Sequence, residues 1–149
     1  MRIRNLFVIA AVVTAAIVSA SPARAQGETR YGVWVNSTNP NNVMTYEPEG
    51  KGMKVTVSNP NDPKSAWWYV TMFDGVFRPV TGQNNAETAV EVINAKSTRI
   101  LNKRDGVVYQ VVINTLSDDN NTINNEYIRM DKDGKITGVT HVTYLRQKK

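Results

Sequence analysis

Beyond about residue 30, apolar and polar positions alternate in short runs rich in Val, Ile, Thr, Tyr and Trp, and no stretch sustains the 3.6-residue apolar period of a substantial helix. Turn chemistry punctuates these runs at Asn39-Pro40-Asn41-Asn42, Glu49-Gly50, Asn59-Pro60-Asn61-Asp62-Pro63, Asp74-Gly75, residues 82–85, Asp105-Gly106, residues 118–121 and Asp133-Gly134. The spacing predicts strands over 32–35, 43–47, 52–58, 66–73, 76–80, 87–93, 97–102, 107–116, 122–130 and 135–146. The fold class is therefore all-β. Strands that follow one another through tight turns leave two exposed edges unless the sheet closes. The expected architecture is thus a single up-and-down antiparallel barrel of about 8–10 strands.

Alternation also sorts side chains onto two faces, although a slip of one residue inverts each assignment. Over 107–116, Val107, Tyr109, Val111 and Ile113 share one face, and Val108, Gln110, Val112 and Asn114 share the other. Over 66–73, Trp67, Tyr69 and Phe73 oppose Trp68, Val70 and Met72. On the last strand Ile136, Thr140, Val142 and Tyr144 alternate with Thr137, Val139, His141 and Thr143. Aromatic walls with a few polar groups suit a ligand cavity. They suit a filled barrel core equally.

The start of the chain has a different pattern. Arg2 and Arg4 precede an uncharged apolar run over residues 6–20, which ends near the small-residue triplet Ala23-Arg24-Ala25. A positive n-region, an apolar h-region and an A-x-A site predict a signal peptide over 1–25 and a barrel domain over 26–149, with the protein in the periplasm or secreted. The apolar run is shorter than the roughly 20 residues needed to span a bilayer, and no second apolar stretch offers a transmembrane segment after cleavage.

Removing residues 1–25 takes away Arg2, Arg4 and Arg24 but no carboxylate. That leaves 15 basic against 13 acidic side chains and lowers the net charge from +5 to +2. The remaining bases are scattered, apart from Lys103-Arg104 and the tail Arg146, Lys148, Lys149, so the electrostatic footprint of a nucleic-acid partner is missing. With no cysteine, the domain must fold by burial alone, without disulfides, and thiolate chemistry is excluded. About 124 mature residues are enough to bury a core.

Gly32-Val33-Trp34 on the first strand and Tyr144-Leu145-Arg146 on the last resemble the lipocalin and fatty-acid-binding barrels. The run Phe73-Asp74-Gly75-Val76-Phe77-Arg78-Pro79-Val80-Thr81-Gly82 is similar to a segment of small exported bacterial lipocalin-like (calycin-type) proteins, mostly of unassigned function. Residues 87–101 and the turns at Asp105-Gly106 and Ser117-Asp118-Asp119 extend the likeness over nearly all of the mature chain. The resemblance implies structural roles for Trp34 and Arg146 at the barrel base, with the guanidinium stacked on the indole. Unlike the larger lipocalins, the chain has no possible disulfide and no room for a C-terminal helix.

His141 is the only histidine, so a site built on several imidazoles cannot form within one chain, and no metal site or cofactor is expected. Aspartate-glycine turns such as residues 131–134 lack the further ligands of a calcium loop. Two readings remain. In the first, a periplasmic or secreted barrel binds a small hydrophobic or amphipathic molecule, with Trp67, Trp68, Tyr69, Met72 and Tyr109 as wall candidates and Arg99 as a carboxylate clamp. In the second, the same cavity performs cofactor-free isomerase, cyclase or lyase chemistry, with His141, Glu126 and Tyr109 as acid–base groups. Arg78, Glu91, Arg129, Tyr127 and Tyr144 are further polar candidates for the interior. The chain shows no nucleophile motif or phosphate loop, which favours the binding reading.

Overall fold

Ten antiparallel strands follow one another in a single sheet that curls into a nearly closed barrel. The computed structural model describes residues 22–148. The strands are β1 (Gly32–Asn36), β2 (Val43–Glu49), β3 (Gly52–Asn59), β4 (Asp62–Thr71), β5 (Arg78–Pro79), β6 (Ala86–Val92), β7 (Ser97–Arg104), β8 (Val107–Leu116), β9 (Thr122–Met130) and β10 (Ile136–Arg146). Their spatial order is β4-β3-β2-β1-β10-β9-β8-β7-β6-β5, which is the expected up-and-down order with β1 and β10 paired. The alternation predicted these elements closely because every hairpin is short and local. The largest departures are β4, which starts four residues and ends two residues before the expected 66–73, and β5, reduced to two residues where 76–80 was expected.

One helix, α1 (Pro22–Arg30), precedes the sheet and was not anticipated. It covers the backbone of the triplet at 23–25, while the arginines and apolar run expected to open a signal peptide lie outside the described residues. Among the described residues no helix is long and apolar enough to cross a membrane.

The barrel closes along a seam between the two terminal strands of the sheet. Trp68 N on β4 donates to the carbonyl of Thr81, just past β5, at 3.0 Å and Thr81 N to Trp68 O at 2.8 Å, while Gly75 N in the β4–β5 connection donates to Val90 O on β6 at 2.9 Å. Gly82 makes this approach possible. Its φ is +88°, and a β-carbon there would sit 2.7 Å from the carbonyl oxygen of Ala66.

The two ends of the barrel differ. Trp34 is completely buried at the base, donates from Nε1 to the Arg30 carbonyl at 2.8 Å and carries the Arg146 guanidinium 4.1 Å from its ring. Arg146 ties the base together through the carbonyls of Asn120, Tyr31 and Thr29 at 2.7, 2.6 and 2.7 Å. Gly32 has a physical reason in this arrangement, since its φ is +133° and a β-carbon would lie 3.0 Å from Arg146 Nη1. Above the base, Tyr46, Met53, Val55, Tyr69, Phe73 and Val90 interdigitate as the core. The void between them is about 10 Å³, no larger than a single water needs.

Candidate functional site

Packing ends halfway up the barrel. In the other half lies a cavity of about 180 Å³, bounded by the inward residues of β2, β3, β4, β6, β7, β8, β9 and β10. Met44, Val55, Val57, Ile100 and Val112 supply apolar floor and wall, where alternation turns every second residue inward. Trp67 and Tyr69, two apart on β4, form one side, with ring centroids 6.4 Å apart and planes inclined by only 20°. Tyr127 and Tyr144 face the same space from β9 and β10.

Tyr109 and Gln110 both line the cavity although they are consecutive, which regular alternation forbids. A bulge explains this. The register between β7 and β8 passes from Asn102 opposite Gln110 to Lys103 opposite Val108, so Tyr109 is an extra residue on β8. The bulge re-aims the ring at the barrel mouth, where the Arg104 guanidinium lies 5.5 Å from its centroid.

Only two charged side chains line the cavity among the described residues, Glu87 and Lys103. They pair with each other at 2.7 Å, and Lys103 Nζ also lies 4.2 Å from the Phe77 ring. The remaining polar wall is uncharged, with Asn42, Gln83, Asn102, Gln110, Asn125 and Thr88. Burial raises the pKa values of Tyr46, Tyr69 and Tyr144 above the ordinary phenol range, so these hydroxyls stay protonated at any physiological pH.

A buried cation stands behind this wall. Arg30, at the end of α1, is 1 % exposed. It donates to Asn114 Oδ1 at 3.2 Å, to the Lys96 carbonyl at 2.8 Å and to Gln26 Oε1. Desolvation lowers its pKa, and its electrostatic interaction with Tyr46 acts in the opposite direction. Neither Arg30 nor the carboxamide pair Asn114 and Asn125 was expected from sequence. The available signal was an asparagine at an inward position on each of β8 and β9, flanked at alternate positions by apolar residues.

Of the residues expected to bind a ligand, Trp67, Tyr69 and Tyr109 come together at the cavity. Three do not. Trp68 points out of the barrel, beneath Lys54 Nζ at 4.6 Å. Met72 lies exposed beyond the end of β4. Arg99 is on the outer surface, paired with Glu91 at 2.6 Å, and so clamps no carboxylate inside. Arg78 is likewise outside, held by both oxygens of Asp74 at 2.7 Å, an interaction that lowers the Asp74 pKa to about 2.

The expected acid–base set does not assemble. His141 and Glu126 are register partners on β10 and β9, but they share the outer face in a shallow groove with Ile113 and Thr115, and His141 is exposed. The barrel wall separates them from Tyr109 at the mouth. Among the described residues no three His, Asp or Glu side chains gather where they could hold a metal ion. The sequence matches no family model, and no curated protein is significantly similar to it.

Proposed function

We propose that the protein is an exported, lipocalin-like barrel that holds one small, largely apolar molecule in its mouth-half cavity. The observation that carries this reading is the contrast between the two halves of one barrel: a base packed to a void of about 10 Å³ and a mouth half left hollow at about 180 Å³. A barrel shaped only for stability would fill both, because empty apolar volume costs stability. The export element rests on the arginines, apolar run and A-x-A triplet at the start of the chain. The lipocalin-like element rests on Gly32-Val33-Trp34 and its contact with Arg146.

Cavity size narrows the ligand. An apolar cavity of roughly 150 Å³ takes up benzene, so this one suits a single ring with a small substituent, and a long-chain fatty acid exceeds it. The test is a titration of monocyclic aromatics, small terpenoids and short acids followed by tryptophan emission. Saturable changes should occur in the wild type and in Trp68→Phe, whose altered ring is outside, and should vanish in Trp67→Phe. Absence of saturation across the panel would refute the proposal.

A further inference from the structure

The polar groups of the cavity wall run in one direction. Arg30 has donors and no acceptor, so Asn114 must present Oδ1 to it, at 3.2 Å. That orientation turns Asn114 Nδ2 toward Asn125 Oδ1 at 2.8 Å, and Asn125 Nδ2 therefore donates to the Tyr127 hydroxyl at 3.0 Å. The Tyr127 oxygen is an acceptor in this chain, and its proton must go elsewhere. On the adjoining strand the Tyr144 hydroxyl lines the same cavity and accepts from Asn42 Nδ2 at 3.0 Å.

The two phenols carry two protons, and at most one can be shared between them. The other has no acceptor in the wall. Asn42 Oδ1 is buried without a partner among the described residues. Turning that amide over would give the oxygen the Tyr144 proton, yet it would then leave the Nδ2 protons unpaired. With Asn42 Nδ2 donating to Tyr144, one phenol proton is left without an acceptor beside the cavity, whereas the turned amide would leave its own donor unpaired at a position closed to any ligand. A second chain ends the same way: Thr88 Oγ1 donates to Asn102 Oδ1 at 2.8 Å, Asn102 Nδ2 donates to Gln110 Oε1 at 2.9 Å, and Gln110 Nε2 is left over.

We propose that the cavity selects an uncharged ring compound bearing a carbonyl oxygen, which accepts hydrogen bonds from the Tyr127–Tyr144 pair and from Gln110. This rests on the ligand-binding reading above and names its chemistry. A ligand without an acceptor leaves these donors unpaired. An anion against Trp67 and Tyr69 would meet only neutral donors in the cavity wall, because Lys103 is paired with Glu87, Arg30 lies behind Asn114, and Arg104 stands outside the lining, donating to Gln83 at 2.9 Å. The buried guanidinium still polarises the chain toward an electron-rich atom at its far end.

Three probes of nearly equal size separate the possibilities: acetophenone, ethylbenzene and benzoate, each titrated into the full-length mature protein and followed by backbone chemical shifts. Acetophenone should bind about 5- to 10-fold more tightly than ethylbenzene, the ratio expected from about one neutral hydrogen bond. In Tyr127→Phe the ratio should fall below about 2-fold, and Gln110→Leu, on the other chain, should reduce it independently should the first variant fail to fold. Arg99→Gln, on the outer face, should leave it unchanged. Equal binding of acetophenone and ethylbenzene would overturn the selectivity and leave the binding reading intact. Tightest binding by benzoate would overturn it in favour of an anion site. Failure of all three to bind would remove the binding reading itself.

Discussion

Replacing Trp34 with alanine tests how the base holds the barrel together. The indole is fully buried, donates to the Arg30 carbonyl at 2.8 Å and carries the Arg146 guanidinium at 4.1 Å. Emptying a buried aromatic site costs about 3–5 kcal/mol. The lost hydrogen bond and cation–π contact are each of order 1 kcal/mol, and part of both is already included in that range. The expected loss is therefore about 4–5 kcal/mol, a quarter or more of the stability of an ordinary domain at roughly 5–15 kcal/mol. Urea unfolding followed by far-ultraviolet circular dichroism reads it as a lower midpoint at unchanged slope. Trp34→Phe keeps most of the buried area and should lose about 1–2 kcal/mol. A double-mutant cycle with Arg146→Met should give a coupling of about 0.5–1 kcal/mol. A loss below about 1 kcal/mol for Trp34→Ala would refute the reasoning, because it would mean that the ring contributes no buried area in solution.

Two further outcomes follow from geometry already described. The raised pKa values of Tyr46, Tyr69 and Tyr144 mean that the folded state keeps phenol protons which the unfolded chain releases from about pH 10 upward. Their contribution to stability is complete below that pH and is lost progressively as pH rises from there toward the raised folded-state values. Ultraviolet titration should therefore show these three ionising only with unfolding, and ionisation of all six tyrosines in the folded protein would contradict it. Gly82→Ala should cost about 1–3 kcal/mol through its positive φ and the 2.7 Å approach to the Ala66 carbonyl, and should speed amide exchange at Trp68 and Thr81. Unchanged exchange at those two amides would show that the seam does not depend on the glycine.

Nearly the whole fold was legible because it is built from local hairpins. Alternation with turn residues located β8 and β9 to the residue, and the opposition of Trp67 to Trp68 followed from strand geometry alone. The site was legible only in part, since its determinants are not local. Tyr109 reaches the cavity through a bulge, and no propensity in the run 107–116 announces one. Arg99 looked like an anion clamp until register set it opposite Glu91 on the outer face. His141 stood out because it is unique, and uniqueness carries no information about which face a strand residue takes. Arg30 escaped notice because a lone arginine before the first strand resembles a solvated linker, and only tertiary closure buries it.

The pairing of β1 with β10 has a kinetic consequence. The bonds from Arg146 to Thr29 and Tyr31 join residues more than a hundred positions apart, and the first strand has only β2 to lean on until the last strand arrives. A chain emerging from its N-terminus can form hairpins early, but it cannot seat Trp34 or shelter Arg30 until residue 146 is present. Non-local closure of this kind places the entropic cost before the reward and slows folding. The barrel should therefore remain an open, extensible string of hairpins throughout synthesis and become a container only when the final strand docks.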